Sequence, residues 1–340
     1  MDQLPKVELH LHLDCSLSYK VVARLDPTVS RPDFDRDFVA PAKCTSLADF
    51  LTRAPRGFQL MQTEPALRMV VEDVFEQLQS DHVVYAEIRF APLLHLAGGL
   101  TPTQVVTAVE RATADCVQTT GIESRLILCT LRHFTEEQSL ETARLVDQFR
   151  SSLVAALDLA GDEAGFPIEA HIPAYRYAIE RGLGRTAHAG EARGADSVWE
   201  TLRAFEPSRI GHGVRSAEDT GLLEHLRTTS VHLEVCPTSN VQTCVCGEYA
   251  DHPIETLRRA GVRFGISTDT RTITEITLRE EYRKLAAHFG WKQQQFLQCN
   301  LDAIEAAFAP QSVKDRVKAQ LLATYAEGPK SSQIAHQPSI

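Results

Sequence analysis

Val7-Glu8-Leu9-His10-Leu11-His12-Leu13-Asp14 alternates residue by residue. In an extended chain Val7, Leu9, Leu11 and Leu13 share one face, and Glu8, His10, His12 and Asp14 share the other. Such alternation marks a β-strand. His10 and His12 project side by side from it, spaced to hold one cation between them, and neutral imidazole suits zinc. A metal there needs further ligands from elsewhere in the chain.

Outward from this strand the chain repeats one pattern. Apolar residues at helical spacing (Leu67, Val70, Val71, Val74, Phe75, Leu78) precede a strand over 83–91, stopped by Pro92. A helix over 103–118 precedes a strand near 124–131, and a helix near 136–149 precedes the apolar run 153–160, which ends in Gly161-Asp162-Glu163. Helices at 174–181, 197–204, 220–227 and 253–260 then lead into strands at 184–191, 209–214, 231–237 and 262–269, with Gly261 as the last helix's stop signal. Strict alternation of eight strands with helices points to a parallel, closed (β/α)8 TIM barrel. Additional helices follow from Thr277 and are expected to pack on the barrel. Residues 1–327 read as a single domain; 328–340, rich in Ser, Gln and Pro, reads as a disordered tail.

Composition narrows the function. The chain has 340 residues, 43% hydrophobic and 24% charged, ordinary for a globular protein with a sizeable core. A net charge of -10 argues against nucleic acid as the main partner. No apolar run reaches membrane-spanning length. The opening MDQLPKVELH lacks the basic-then-apolar order of a signal peptide. The eight cysteines are scattered without a CxxC pair and read as reduced thiols, which places the protein in the cytoplasm.

In such barrels the site forms at the C-terminal ends of the strands. There the sequence collects His10, His12 and Asp14; His188, Gly190 and Glu191; Gly211-His212-Gly213; Cys236 to Asn240; and Ser267-Thr268-Asp269. Three histidines and an aspartate suffice for a divalent cation, which lowers the pKa of a bound water to about 7. A lone strand histidine is more often a hydrogen-bonded core residue. His82, His95, His133, His171, His225, His232, His252 and His288 are read that way, or as surface groups. Gly190 and Gly211 serve either close backbone approach or ligand contact.

The segments LPKVELHLHLD (4–14), TAHAGEA (186–192), RIGHGV (209–214), EVCPTSN (234–240) and STD (267–269), in this order and spacing, resemble the adenosine deaminase family of the amidohydrolase superfamily. The resemblance covers about residues 4 to 310. It implies one Zn2+ per chain on His10, His12, His188 and Asp269. Glu191 would protonate purine N1 and make C6 electrophilic; His212 would orient the attacking water or take its proton; Asp269 would double as ligand and base. The substrate-binding set would comprise His12, Asp14 near the ribose, Gly161 at purine N3, Thr270, and Phe58, Leu60 and Met61 as an apolar lid. The implied reaction is deamination of adenosine or 2′-deoxyadenosine to inosine or deoxyinosine, in purine salvage. The partner is thus a small-molecule purine nucleoside; oligomeric state is left open.

Two departures bear on substrate. Many members carry a second Asp where this chain has Thr270, which can donate to purine N7 but carries no charge. Cys15 stands where a glycine is common. These keep a rival open: deamination of adenine, a methylated adenine nucleotide or a 5′-modified adenosine. A phosphorylated substrate would need cations, and Arg89, Arg193, Arg215 and Arg271 are the candidates. A metal-free binding protein on the same barrel is the non-enzyme alternative.

Overall fold

The computed structural model describes residues 2–327, so the tail expected at 328–340 lies outside the described residues. Eight strands are present: β1 (Lys6–His12), β2 (Val83–Phe90), β3 (Glu123–Leu131), β4 (Val154–Ala160), β5 (Gly184–Ala189), β6 (Arg209–His212), β7 (His232–Val235) and β8 (Phe264–Ile266). They pair in sequence order, each parallel to the next. Closure comes from the segment beyond β8. The His12 amide donates to the Asp269 carbonyl at 2.8 Å, and the Asp269 amide donates to the His10 carbonyl at 3.0 Å. The chain is a (β/α)8 barrel, and the joint that closes it pins Asp269 against both strand-one histidines.

The helices start where caps dictate. The helix Glu64–Ser80 begins at Thr63, whose side chain accepts from the Ala66 amide, with Pro65 in the first turn. It buries Leu67, Val70, Val71, Val74, Phe75 and Leu78, the expected apolar stripe. Two short helices, Leu47–Leu51 and Ala54–Phe58, bring residues to the barrel mouth. Beyond the barrel, Leu278–Phe289, Gln293–Ala306 and Gln311–Glu327 are the additional helices. Gln293–Ala306 packs on β8 and β1, where the Asn300 side-chain oxygen accepts from the Val7 amide at 2.7 Å. Among the described residues no helix is long and apolar enough to cross a membrane.

Several strands stop sooner than alternation suggested. β1 ends at His12, and Leu13–Cys15 forms a single 3-10 turn. Gly190 (φ 69°), His212 (φ 57°) and Asp269 (φ 68°) adopt left-handed backbone, so the extended chain cannot continue past them. His12, Glu191, His212 and Asp269, at or beside these stops, line the cavity at the mouth.

Candidate active site

His10 and His188 are each held from behind. His10 Nδ1 pairs with Glu234 Oε2 at 2.8 Å, and His188 Nδ1 with Asp158 Oδ1 at 3.2 Å. A carboxylate accepts the Nδ1 proton, so both Nε2 atoms present lone pairs. Arg89 bridges the two carboxylates, at 2.9 Å from Asp158 and 2.6 Å from Glu234, all three fully buried. In front, His12 Nε2 lies 3.2 Å from His188 Nε2 and 3.5 Å from Asp269 Oδ1. His10 Nε2 lies 3.4 Å from the same oxygen and has no hydrogen-bond partner. One ligand atom from each of the four residues falls within 4.8 Å of the others. Converging lone pairs around one point, with His10 and His188 each braced by an acid, fit a four-coordinate divalent cation. Gly211 makes the packing possible: a Cβ there would sit 3.0 Å from His10 Cε1 and 3.2 Å from the His188 ring.

Glu191 and His212 adjoin this cluster, Oε2 to Nε2 at 3.5 Å. Burial pushes the Glu191 carboxyl well above its ordinary pKa, and the charges of Asp269 and Glu163 add to that. The His212 tautomer is fixed from a distance. The Ile254 amide donates to His252 Nδ1 at 3.1 Å, so neutral His252 carries its proton on Nε2. Burial holds His252 neutral, down to about 3. That Nε2–H donates to Asn240 Oδ1 at 3.1 Å, which leaves the Asn240 amide group to donate to His212 Nδ1 at 3.1 Å. His212, also kept neutral by burial, therefore presents an Nε2–H to the site.

A cavity of about 430 Å³ opens over these groups. Asp14, Cys15, Phe58, Gly161 and Thr270 line it. Asp14 accepts from the Ala91 amide at 3.2 Å, and burial raises its carboxyl to about 6. The Thr270 hydroxyl is buried without a partner. Met61 is a correction: it is fully buried in the main apolar core and does not line the cavity, because the 3-10-like bonds that end the Ala54–Phe58 helix turn it inward. Leu60 is half-buried against that core. Sequence reasoning missed Glu234 and Asp158, placed Asn240 at the mouth without a role, and gave no role to His252. A charge inside an otherwise apolar strand was the available signal for the two acids.

Fold and site together define a (β/α)8 barrel with residues at its mouth that could hold a divalent cation. The family model for adenosine deaminase matches residues 5–324. The adenosine deaminase of Lacticaseibacillus paracasei is 34% identical over 332 residues, covering 96% of this chain and 98% of that one. The adenine deaminase of Arthrobacter aurescens superposes with a TM-score of 0.86 at 25% identity, covering 96% of this chain and 100% of that one. The Arabidopsis N6-mAMP deaminase shares the fold, with a TM-score of 0.85 at 24% identity over 95% and 99% of the chains. The chain belongs to the adenosine deaminase family, and it is a deaminase.

Proposed function

We propose that this enzyme is a zinc-dependent adenosine deaminase, converting adenosine or 2′-deoxyadenosine to inosine or deoxyinosine and ammonia in cytoplasmic purine salvage. One observation carries the reading: the four-ligand cluster, the Glu191–His212 pair and an uncharged-ligand cavity coincide. Among the described residues the cavity lining includes Asp14, Asp162, Glu191 and Asp269 and no lysine or arginine. The arginines that a phosphate would need are engaged elsewhere. Arg89 holds Asp158 and Glu234, Arg271 holds Glu8 and Asp81, Arg193 holds Asp196 and Glu200, and Arg215 holds Glu218. A dianionic 5′-phosphate would meet four acidic side chains and no lysine or arginine in this lining, so a neutral nucleoside is favoured.

His10, His12, His188 and Asp269 would hold the zinc, which when bound supplies the Lewis acidity that makes water a nucleophile near neutral pH. Glu191 gives its proton to purine N1, drawing electron density from C6. His212 Nε2–H donates to the oxygen arriving at C6 and stabilises the charge that develops there. Asp269, whose Oδ2 accepts from the Ser239 hydroxyl at 2.7 Å, takes the proton that oxygen sheds. The amine takes the proton held on Asp269 and leaves as ammonia, and the remaining hydroxyl proton returns to Glu191 as the C6 carbonyl forms. The test is the ultraviolet change from aminopurine to oxopurine, followed with adenosine, adenine and adenosine monophosphate, each with and without a chelator. Chelator-sensitive turnover of adenosine alone is expected. Preference for adenine or the monophosphate would replace this substrate assignment.

Thr270 would donate its partnerless hydroxyl to purine N7. A single neutral hydrogen bond contributes about 1 kcal/mol, roughly fivefold in kcat/KM. The wild type should thus lose about that factor on 7-deazaadenosine, and Thr270→Val should no longer distinguish 7-deazaadenosine from adenosine. Equal discrimination by both proteins would remove Thr270 from N7.

A further inference from the structure

Glu163 is a further buried acid near the site, and no proton transfer above involves it. It lies two residues after the cavity-lining Gly161, at the end of β4. Its carboxylate accepts five hydrogen bonds from the segment after β5. Oε1 takes the Gly190 amide at 2.7 Å and the Ser197 hydroxyl at 2.6 Å. Oε2 takes the amides of Glu191 at 3.0 Å, Ala192 at 2.5 Å and Arg193 at 2.9 Å. Four successive N–H groups aimed at one point form a backbone anion nest, here filled by a side chain of the same molecule. The nest depends on Gly190, whose φ of 69° bends the chain after Ala189 and whose missing Cβ would lie 2.5 Å from Val198 Cγ2.

We infer that Glu163 is a positioning residue: it ties the turn bearing Glu191 to the end of β4, so that the proton donor and the cavity floor at Gly161 keep one fixed separation. A carboxylate can accept from all five donors without placing an O–H among them. A glutamine offers one acceptor and turns N–H groups toward N–H groups. The metal-ligating histidine is secured separately, since His188 is braced by Asp158 and its carbonyl accepts from Arg132 at 2.9 Å. Loss of Glu163 should therefore displace Glu191 and leave the cation cradle intact.

The inference rests on Glu191 as the proton donor, and its test is built to separate the two. In the metal-loaded Glu163→Gln enzyme, hydrogen–deuterium exchange should accelerate in the peptide spanning 189–197, with a smaller rise at 213–215, whose amides donate to Ala189 and Gly190, and stay unchanged in the peptide carrying His10 and His12. Metal stoichiometry should hold. With adenosine, kcat should fall about 100-fold, the scale of an ångström's misplacement, with KM changed far less. Glu163→Asp, which keeps the charge on a shorter arm, should fall between the two. Exchange unchanged at 189–197, protection lost throughout the chain, or a released turn with kcat near wild type would each overturn the inference. If the wild type turns over no aminopurine, the proposed function fails, and the exchange pattern alone decides whether Glu163 holds the turn.

Discussion

Replacing Glu191 with glutamine is expected to lower kcat for adenosine on the order of 10³-fold, with metal content and melting temperature unchanged. Glutamine has nearly the same shape, so the cavity is preserved. It still offers an N–H to purine N1, yet it has no proton to transfer, and C6 stays a poor electrophile. The environment of Glu191 is what equips it. Burial, then the charges of Asp269 and Glu163, raise its pKa and keep the acid form available near neutrality. The protonated carboxyl is the working species, so wild-type turnover falls as pH rises through that elevated pKa. The residual activity of the variant should lack this alkaline limb. Steady-state kinetics across pH, beside metal analysis, checks both statements. A loss of under about tenfold would mean that another group protonates the purine.

The barrel was legible because each strand and each helix carries its own period. The strand-end motifs also placed His10, His12, His188, Glu191, His212 and Asp269 at one mouth, since parallel strands end on the same side. What stayed hidden depends on neighbours far away in sequence. His212 and Asp269 take left-handed backbone without being glycine, and nothing adjacent announces it. Asn240 and His252 gain meaning only when β6, β7 and the loop before Ile254 are packed together. Arg89 read as a candidate phosphate cation, whereas it is sealed between two acids. Met61 shared a segment with Phe58, and only the turn between them decides that one meets the cavity and the other the core.

Asn240→Asp tests the His212 tautomer and is expected to lower kcat by about 10²–10³-fold, the cost of removing one preorganised donor from a developing oxyanion. The substitution changes one side-chain nitrogen to oxygen, yet it inverts the direction of a hydrogen bond. The Ile254 amide still fixes His252 with its proton on Nε2, so that proton still goes to residue 240. An aspartate there has no N–H to offer His212 Nδ1 and can only accept. His212 must then move its proton to Nδ1, and a lone pair replaces the Nε2–H that faces Glu191 and the cavity. The same kind of tautomer error in a serine-protease triad costs about 10⁴-fold. Substrate binding should change far less than kcat, because the donor is needed only when charge builds on the oxygen at C6. Nitrogen chemical shifts of labelled histidine report the tautomer directly. A swapped tautomer with a reduced kcat supports donation by His212. A swapped tautomer with kcat preserved or raised would show the reverse, that His212 works by accepting a proton through Nε2, and the task of holding charge at C6 would pass to the cation alone.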